Sequence, residues 1–205
     1  MTNQTISKKA KKIFNQSINK YHELDKVDQL YENPYKLDSI EHLLYKKNWI
    51  DTIQWHYEDL IRDPDINPVD GMNLKRKIDA SNQERTDTVE YIDGYFLNLY
   101  KEVKPVKTAT INSESPAWAI DRLSILELKI YHMEEESKRL EATQSHRQNC
   151  YNKLQVLIIQ SYDLCKAIDE LINDFSIGKK YMKVYKQMKM YNDKETNPVL
   201  YKDKL

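Results

Sequence analysis

Three groups of side chains in this 205-residue chain have the types and spacing to do chemistry. Asp121, His132 and Arg139 recur at intervals of eleven and seven residues, which return a helix nearly to the same angle. An acid, an imidazole and a guanidinium would thus share one stripe. Asp79, Asn82, Gln83, Thr86, Glu90 and Asp93 fall within about one third of a helical wheel. A solvated face normally mixes lysine with glutamate, and this one has no lysine. Asp79, Glu90 and Asp93 are therefore candidate ligands for a hard divalent cation such as magnesium, the plain alternative being a solvent-facing side. The third group lies in Trp55-His56-Tyr57-Glu58-Asp59. His56 and Asp59, three apart, can meet on one helix edge, either as a half-buried histidine held by its neighbour or as part of a ligand or general-base site.

These groups need helices to position them. Glu114 to Met133 is apolar on two sides with polar residues between, which suits a helix enclosed by others. Ser115 and Pro116 start it as an N-cap and a first-turn proline. Leu123, Leu126, Ile130, Met133 and Leu140 follow one face, and Ile125 and Leu128 a second. Upstream, Ile40 to Ile61 line a helix near 37–62, stopped by Pro64 and Pro68. The next, near 71–102, carries Arg85 in its apolar stripe, and a buried arginine must find a carboxylate on another helix. Helices near 116–141 and 147–176 share one heptad phase. A single helix of that length would far exceed the usual 8 to 20 residues, so a turn is expected within 141–149.

Gly178 is placed to cap the last helix in the left-handed conformation. Lys179 to Asp193 is basic and aromatic. Its lysines could track phosphates while Tyr181, Tyr185 and Tyr191 stack, but tyrosine and methionine at three-four spacing favour an amphipathic tail helix on the bundle. Asn197 to Tyr201 reads as an extended arm. The expected architecture is all-α: an antiparallel bundle of four long helices over 36–177, a peripheral N-terminal helix over 1–35, and a C-terminal arm over 178–205 packing on the bundle.

Only three glycines accompany 40% hydrophobic and 31% charged residues, a helical composition. Lys plus Arg equals Asp plus Glu, so the net charge of zero gives no argument for nucleic acid, and none is expected as a partner. Cys150 and Cys165 would stand roughly 22 Å apart on one helix, too far to bond. No apolar run approaches the roughly 20 residues of a membrane span, and the polar, lysine-rich start lacks a secretory pattern, so a cytoplasmic protein is expected. Phosphate-loop, Cys-x-x-Cys, Gly-x-Ser-x-Gly and His-Glu-x-x-His motifs are absent, as is the paired Glu-x-x-His of carboxylate-bridged metal bundles.

Four segments together resemble a known family: Trp55-His56-Tyr57-Glu58-Asp59-Leu60-Ile61-Arg62; Ile78-Asp79 with Asn82-Gln83 and Arg85; Asp121 to Leu126 with Leu128-Lys129-Ile130; and Lys189 to Asp193 with Asn197-Pro198. The family is bacterial, encountered chiefly in Bacteroidetes, and catalogued as a domain of unknown function. The resemblance, from about residue 45 onward, implies a helical cytoplasmic protein sometimes encoded near surface-polysaccharide glycosyltransferases, and carries no activity, cofactor or catalytic residue. Its matching positions are largely polar. With His132 they make His56, Asp59, Arg62, Asn82, Gln83, Arg85, Asp121, Arg122 and Lys129 the ligand-binding candidates.

Two functions follow as expectations. One is a binding or accessory protein, linked to surface-polysaccharide synthesis, in which Arg62, Arg85, Arg122 and Lys129 recognise an anionic small molecule such as a sugar nucleotide, or a protein partner. The other is a metal-dependent hydrolase of a phosphorylated small molecule, with Asp79, Glu90, Asp93 and Asp121 around magnesium and His56 or His132 as base. Homo-oligomerisation is left open by the sequence.

Overall fold

The computed structural model describes residues 5–190 and 193–201. Among the described residues six helices carry the fold: α1 (Ile6–Tyr21), α2 (Ile40–Leu60), α3 (Pro68–Tyr100), α4 (Pro116–Lys138), α5 (Gln144–Ser176) and the single turn α6 (Pro198–Tyr201). Among the described residues there is no strand, only one isolated bridge between Thr110 and Lys180. No helix among them is long and apolar enough to cross a membrane.

The enclosed helix is α4, which packs against α1, α2, α3 and α5. Ser115 accepts from the Trp118 amide at its start, and Pro116 occupies the first turn. Because neighbours surround it, α4 buries apolar and polar positions alike: Ala117, Ile120, Leu123 and Leu128, but also Asp121, Ser124 and Glu127. α3 begins earlier than the expected position near 71. Asn67 accepts from the Val69 amide, and Pro68 initiates the helix rather than ending the previous one. The expected turn after α4 exists but falls at 139–143, where Thr143 caps α5 by accepting from His146 N. Leu140, assigned above to the apolar stripe of α4, lies in that turn and is 81% exposed.

Two peripheral elements differ from expectation. α1 is part of the core, since Ala10, Phe14, Ile18 and Tyr21 are buried against its neighbours. Asp169 of α5 fastens its start by accepting from the Ser7 amide at 3.1 Å and the Ser7 hydroxyl at 2.6 Å. The basic segment after α5 is not a tail helix. Gly178, at φ 71°, ends α5 as expected, with Lys179 N donating to Asp174 O at 2.8 Å. The chain then runs extended beside the α3–α4 connection: Val106 N donates to Gly178 O, Thr110 N to Lys179 O, and Tyr181 N to Thr110 O, each at 3.0 Å. Burial alternates along this strap, Met182 and Val184 being sheltered and Tyr181, Lys183 and Tyr185 exposed. A period of two thus prevails where a three-four spacing was read. Tyr191 lies outside the described residues. α6 replaces the expected extended arm at its start.

Candidate functional site

The centre of the bundle holds four charges from three helices. Lys47 of α2 is fully buried and bonds Asp51 one turn on. Its Nζ also meets Asp121 Oδ1 of α4 at 2.9 Å. From α3, Arg85 donates through Nη2 to Asp121 Oδ2 at 2.6 Å, and its Nε lies 3.3 Å from Asp51 Oδ1, an ion-pair contact rather than an aligned hydrogen bond. Ser124 donates to Asp51 Oδ2 at 2.5 Å and accepts from Asn48 at 3.0 Å. Two aspartates and two cations balance, which is the condition for keeping them out of water. Burial pushes the Asp51 carboxyl above the ordinary carboxylate range, with the neighbouring Asp121 adding to it and Lys47 opposing. The acid that Arg85 was expected to find is thus a pair, Asp51 and Asp121.

Arg85 remains 25% exposed and opens onto a cleft of about 450 Å³ between α2, α3 and α4. Asp51 and Arg85 form one end of the lining; Trp55, Gln54 and Asn82 form walls with Ile125 and Leu128; Glu58, Asp59 and Arg62 complete it. Arg62 is mostly exposed and donates to Glu58 one turn back at 2.9 Å. Of the sequence candidates, the cleft unites Asp59, Arg62, Asn82 and Arg85, with Asp121 directly behind Arg85.

The others lie elsewhere. Arg122 pairs with Glu114 at 2.8 Å and, with Lys129, lines a separate groove between α4 and α5. Gln83 is exposed and donates to Asp87 at 2.7 Å. The expected His56–Asp59 contact is replaced by one between His56 and the turn after α1, where Asp25 Oδ1 lies 3.5 Å from its Nε2. The Asp121–His132–Arg139 stripe splits into three environments, because α4 has different neighbours along its length. Asp121 joins the ion-pair centre, His132 stacks under Trp55 at 4.8 Å, and Arg139 sits exposed on Glu136.

The expected cation site on α3 does not assemble. Asp79 is paired with Lys75 one turn away. Glu90 accepts the Gln187 amide of the strap at 3.0 Å. Asp93 is buried, accepting from the Ser115 hydroxyl at 2.8 Å and the Ala117 amide at 3.4 Å. Residues 79 and 90 lie three turns apart, about 16 Å along one helix, so one small ion cannot bridge them. Burial pushes Asp93 up to about 6 while those hydrogen bonds oppose it. The lysine missing from this face is supplied by the strap: Lys189 Nζ donates to Thr86 Oγ1 at 2.8 Å and reaches Gln83 Oε1 at 3.3 Å.

Residues the sequence reading passed over hold much of this together. Lys47 stands in the register of Ile40, Leu44 and Asp51, a four-three-four spacing that marks the buried side of α2. Glu127, 2% exposed, accepts from Ser161 of α5 at 2.6 Å and Asn15 of α1 at 3.2 Å, with Lys11 Nζ 3.2 Å away. His22, outside every motif, reaches His56 at 3.4 Å.

No curated protein and no solved structure matches the chain. A family model described as a protein of unknown function, DUF4254, matches residues 41–184, the stretch from the start of α2 into the strap, and so contains all four charges of the buried centre and the whole lining of the cleft. The chain belongs to the DUF4254 family.

Proposed function

We propose that the chain is a cytoplasmic binding protein whose α2–α3–α4 cleft takes a small, hydroxyl-rich ligand bearing an anionic group, with a sugar nucleotide as the class that fits. The observation that carries this reading is the composition of the cleft. A volume of about 450 Å³ lies in the range of small-molecule sites. Trp55 offers an aromatic face for the apolar side of a sugar ring. Gln54, Asn82, Glu58 and Asp59 offer donors and acceptors for hydroxyls. Arg62 at the rim supplies the exposed cation a phosphate requires. The lining holds three acids against two arginines, and Arg85 is already engaged by two aspartates. It therefore disfavours a ligand that is anionic throughout and leaves the charged end to Arg62, whose pairing with Glu58 is solvent-exposed and so easily exchanged for a phosphate. The family resemblance adds the link to surface-polysaccharide synthesis. The hydrolase alternative draws no support from α3, where Asp79, Glu90 and Asp93 stay apart.

Thermal unfolding with and without uridine and guanosine diphosphate sugars, the free sugars and the free nucleoside diphosphates tests this. A ligand at 100 times its Kd stabilises by about 2.7 kcal/mol. A sugar nucleotide should shift the transition more than either of its halves. Arg62→Ala should remove the advantage over the free sugar, and Trp55→Phe should weaken every ligand. A folded protein that none of these compounds shifts would end the proposal.

A further inference from the structure

Behind Trp55, the turn after α1 meets α2 and α4 at three histidines. One ring nitrogen from each of His22, His56 and His132 lies within 4.8 Å of the other two. His22 Nε2 and His56 Nε2 are 3.4 Å apart. His22 Nδ1 lies 2.7 Å from Ile18 O, a carbonyl that can only accept, so Nδ1 carries the hydrogen and Nε2 turns a lone pair toward His56. His132 Nε2 is buried and has no hydrogen-bond partner among the described residues. On the open side, Asp25 Oδ1 lies 3.5 Å from His56 Nε2 and 4.0 Å from His22 Nε2.

We propose that His22, His56 and His132, with Asp25 as the fourth group, bind one divalent transition-metal ion of the zinc class and thereby pin the end of α1 to α2 and α4. The geometry fits. Tetrahedral zinc at 2.0–2.1 Å from its ligands sets neighbouring ligand atoms about 3.3–3.4 Å apart. The His22–His56 and His56–Asp25 separations are already at that value or just above it, and small side-chain movements close the 4.0 Å between His22 and Asp25 and the distances of up to 4.8 Å to His132. Imidazole nitrogens with one carboxylate oxygen select zinc, nickel, cobalt or copper over magnesium and calcium. The Nδ1 hydrogen of His22 on a backbone carbonyl is the outer contact by which metal-bound histidines are oriented. Aromatic packing holds the other two rings: Tyr21 stacks on His56 at 5.0 Å and Trp55 on His132 at 4.8 Å. Burial keeps the His132 and His56 imidazoles below their ordinary range, hence neutral and able to ligate at neutral pH. A second cluster, Glu136, His146 and Cys150, is less suited because the Arg139 guanidinium already donates to the Glu136 carboxylate and competes with a cation for it.

None of the four groups lines the cleft, so loss of zinc binding and loss of sugar-nucleotide binding are separable. The full chain, stripped with a chelator, is titrated with zinc by calorimetry and with cobalt by visible absorption. The expected result is one ion per chain, a tetrahedral cobalt spectrum and a raised Tm. His56→Gln should weaken binding by at least about 100-fold, beyond the range for losing an outer contact. The double variant His146→Gln with Cys150→Ser should bind like the parent. Should His56→Gln fail to fold, the imidazole resonances of His22, His56 and His132 in the parent must shift together at one equivalent of zinc. A folded parent that binds no zinc overturns the site. So does binding that survives His56→Gln but is lost in the double variant, or zinc uptake that leaves those three imidazoles unmoved.

Discussion

Replacing Lys47 by methionine keeps most of the buried stem and deletes one charge from the balanced centre. Asp51 and Asp121 would then share Arg85 alone, leaving one uncompensated negative charge at positions 4% and 3% exposed. Breaking a buried ion pair in this way costs about 3–5 kcal/mol, out of the 5–15 kcal/mol typical of a domain. For a chain of this size that lowers Tm by roughly 6–20 °C. The loss should depend on pH in a definite direction. Burial already raises the Asp51 carboxyl, and without Lys47 one aspartate takes up a proton in the folded state that it does not hold in the unfolded chain. A group whose folded pKa is raised contributes stability that grows as pH falls through that value toward the ordinary 3.8. Relative to the parent, the variant should therefore recover at most about 1.4 kcal/mol per pH unit on acidification. Lys47→Met combined with Asp121→Asn restores balance and should regain much of the loss at neutral pH. Urea unfolding of the parent, the single and the double variant, at neutral pH and about two pH units lower, measures all three effects. An unchanged midpoint for Lys47→Met at neutral pH, or a deficit that ignores pH, would mean that the centre does not need its second cation.

Gly178→Ala should destabilise by about 1–3 kcal/mol in the same assay, because φ is 71° and the new Cβ would stand 2.6 Å from Lys104 O. Ser115→Ala removes the α4 cap and a donor to Asp93, costing about 1–2 kcal/mol. Since that hydrogen bond lowers the Asp93 pKa, the carboxyl should titrate above its value of about 6 in the variant, as followed by carbon-13 NMR. In the metal-free protein two groups oppose one another on acidification. His132, held at about 4 against an ordinary 6.5, loses stability as pH falls through that interval, whereas Asp93, raised to about 6 from 3.8, gains it. Asp93→Asn should therefore make stability fall more steeply below pH 6.5 than in the parent, and a His132 ring titrating near 6.5 would contradict the assignment.

The helices were legible because each long one shows a three-four apolar spacing, and Ser115 marks the start of α4 as its type suggests; the caps Ser39, Asn67 and Thr143 were passed over, which is why α3 and α5 begin earlier than expected. Arg85 was legible for a different reason, since a guanidinium in an apolar stripe demands an acid. The other cation of the centre, Lys47, was not, because a Lys–Asp pair four residues apart looks the same on a solvated face as in a core. The α3 carboxylates misled because wheel position records angle and ignores rise: residues sharing a face can still be three turns apart. The histidine cluster needs three segments distant in sequence to come together, and His22 lies just past the end of α1, outside its apolar pattern. The strap shows how a tyrosine-lysine-methionine run satisfies either period until a backbone partner decides between them.

That strap has a bearing on how the molecule is completed during synthesis. Synthesis delivers the segments in chain order, the N-terminal ones first. The residues of the ion-pair centre are all made once α4 has left the ribosome. The amides of Val106 and Thr110 must wait for Gly178 and Lys179, and the α3 face around Thr86 waits longer still for Lys189. The nascent protein thus passes through a stage in which its charged interior can close while the α3–α4 connection still hydrogen-bonds to water. Gly178 and the strap are made after the helices they fasten.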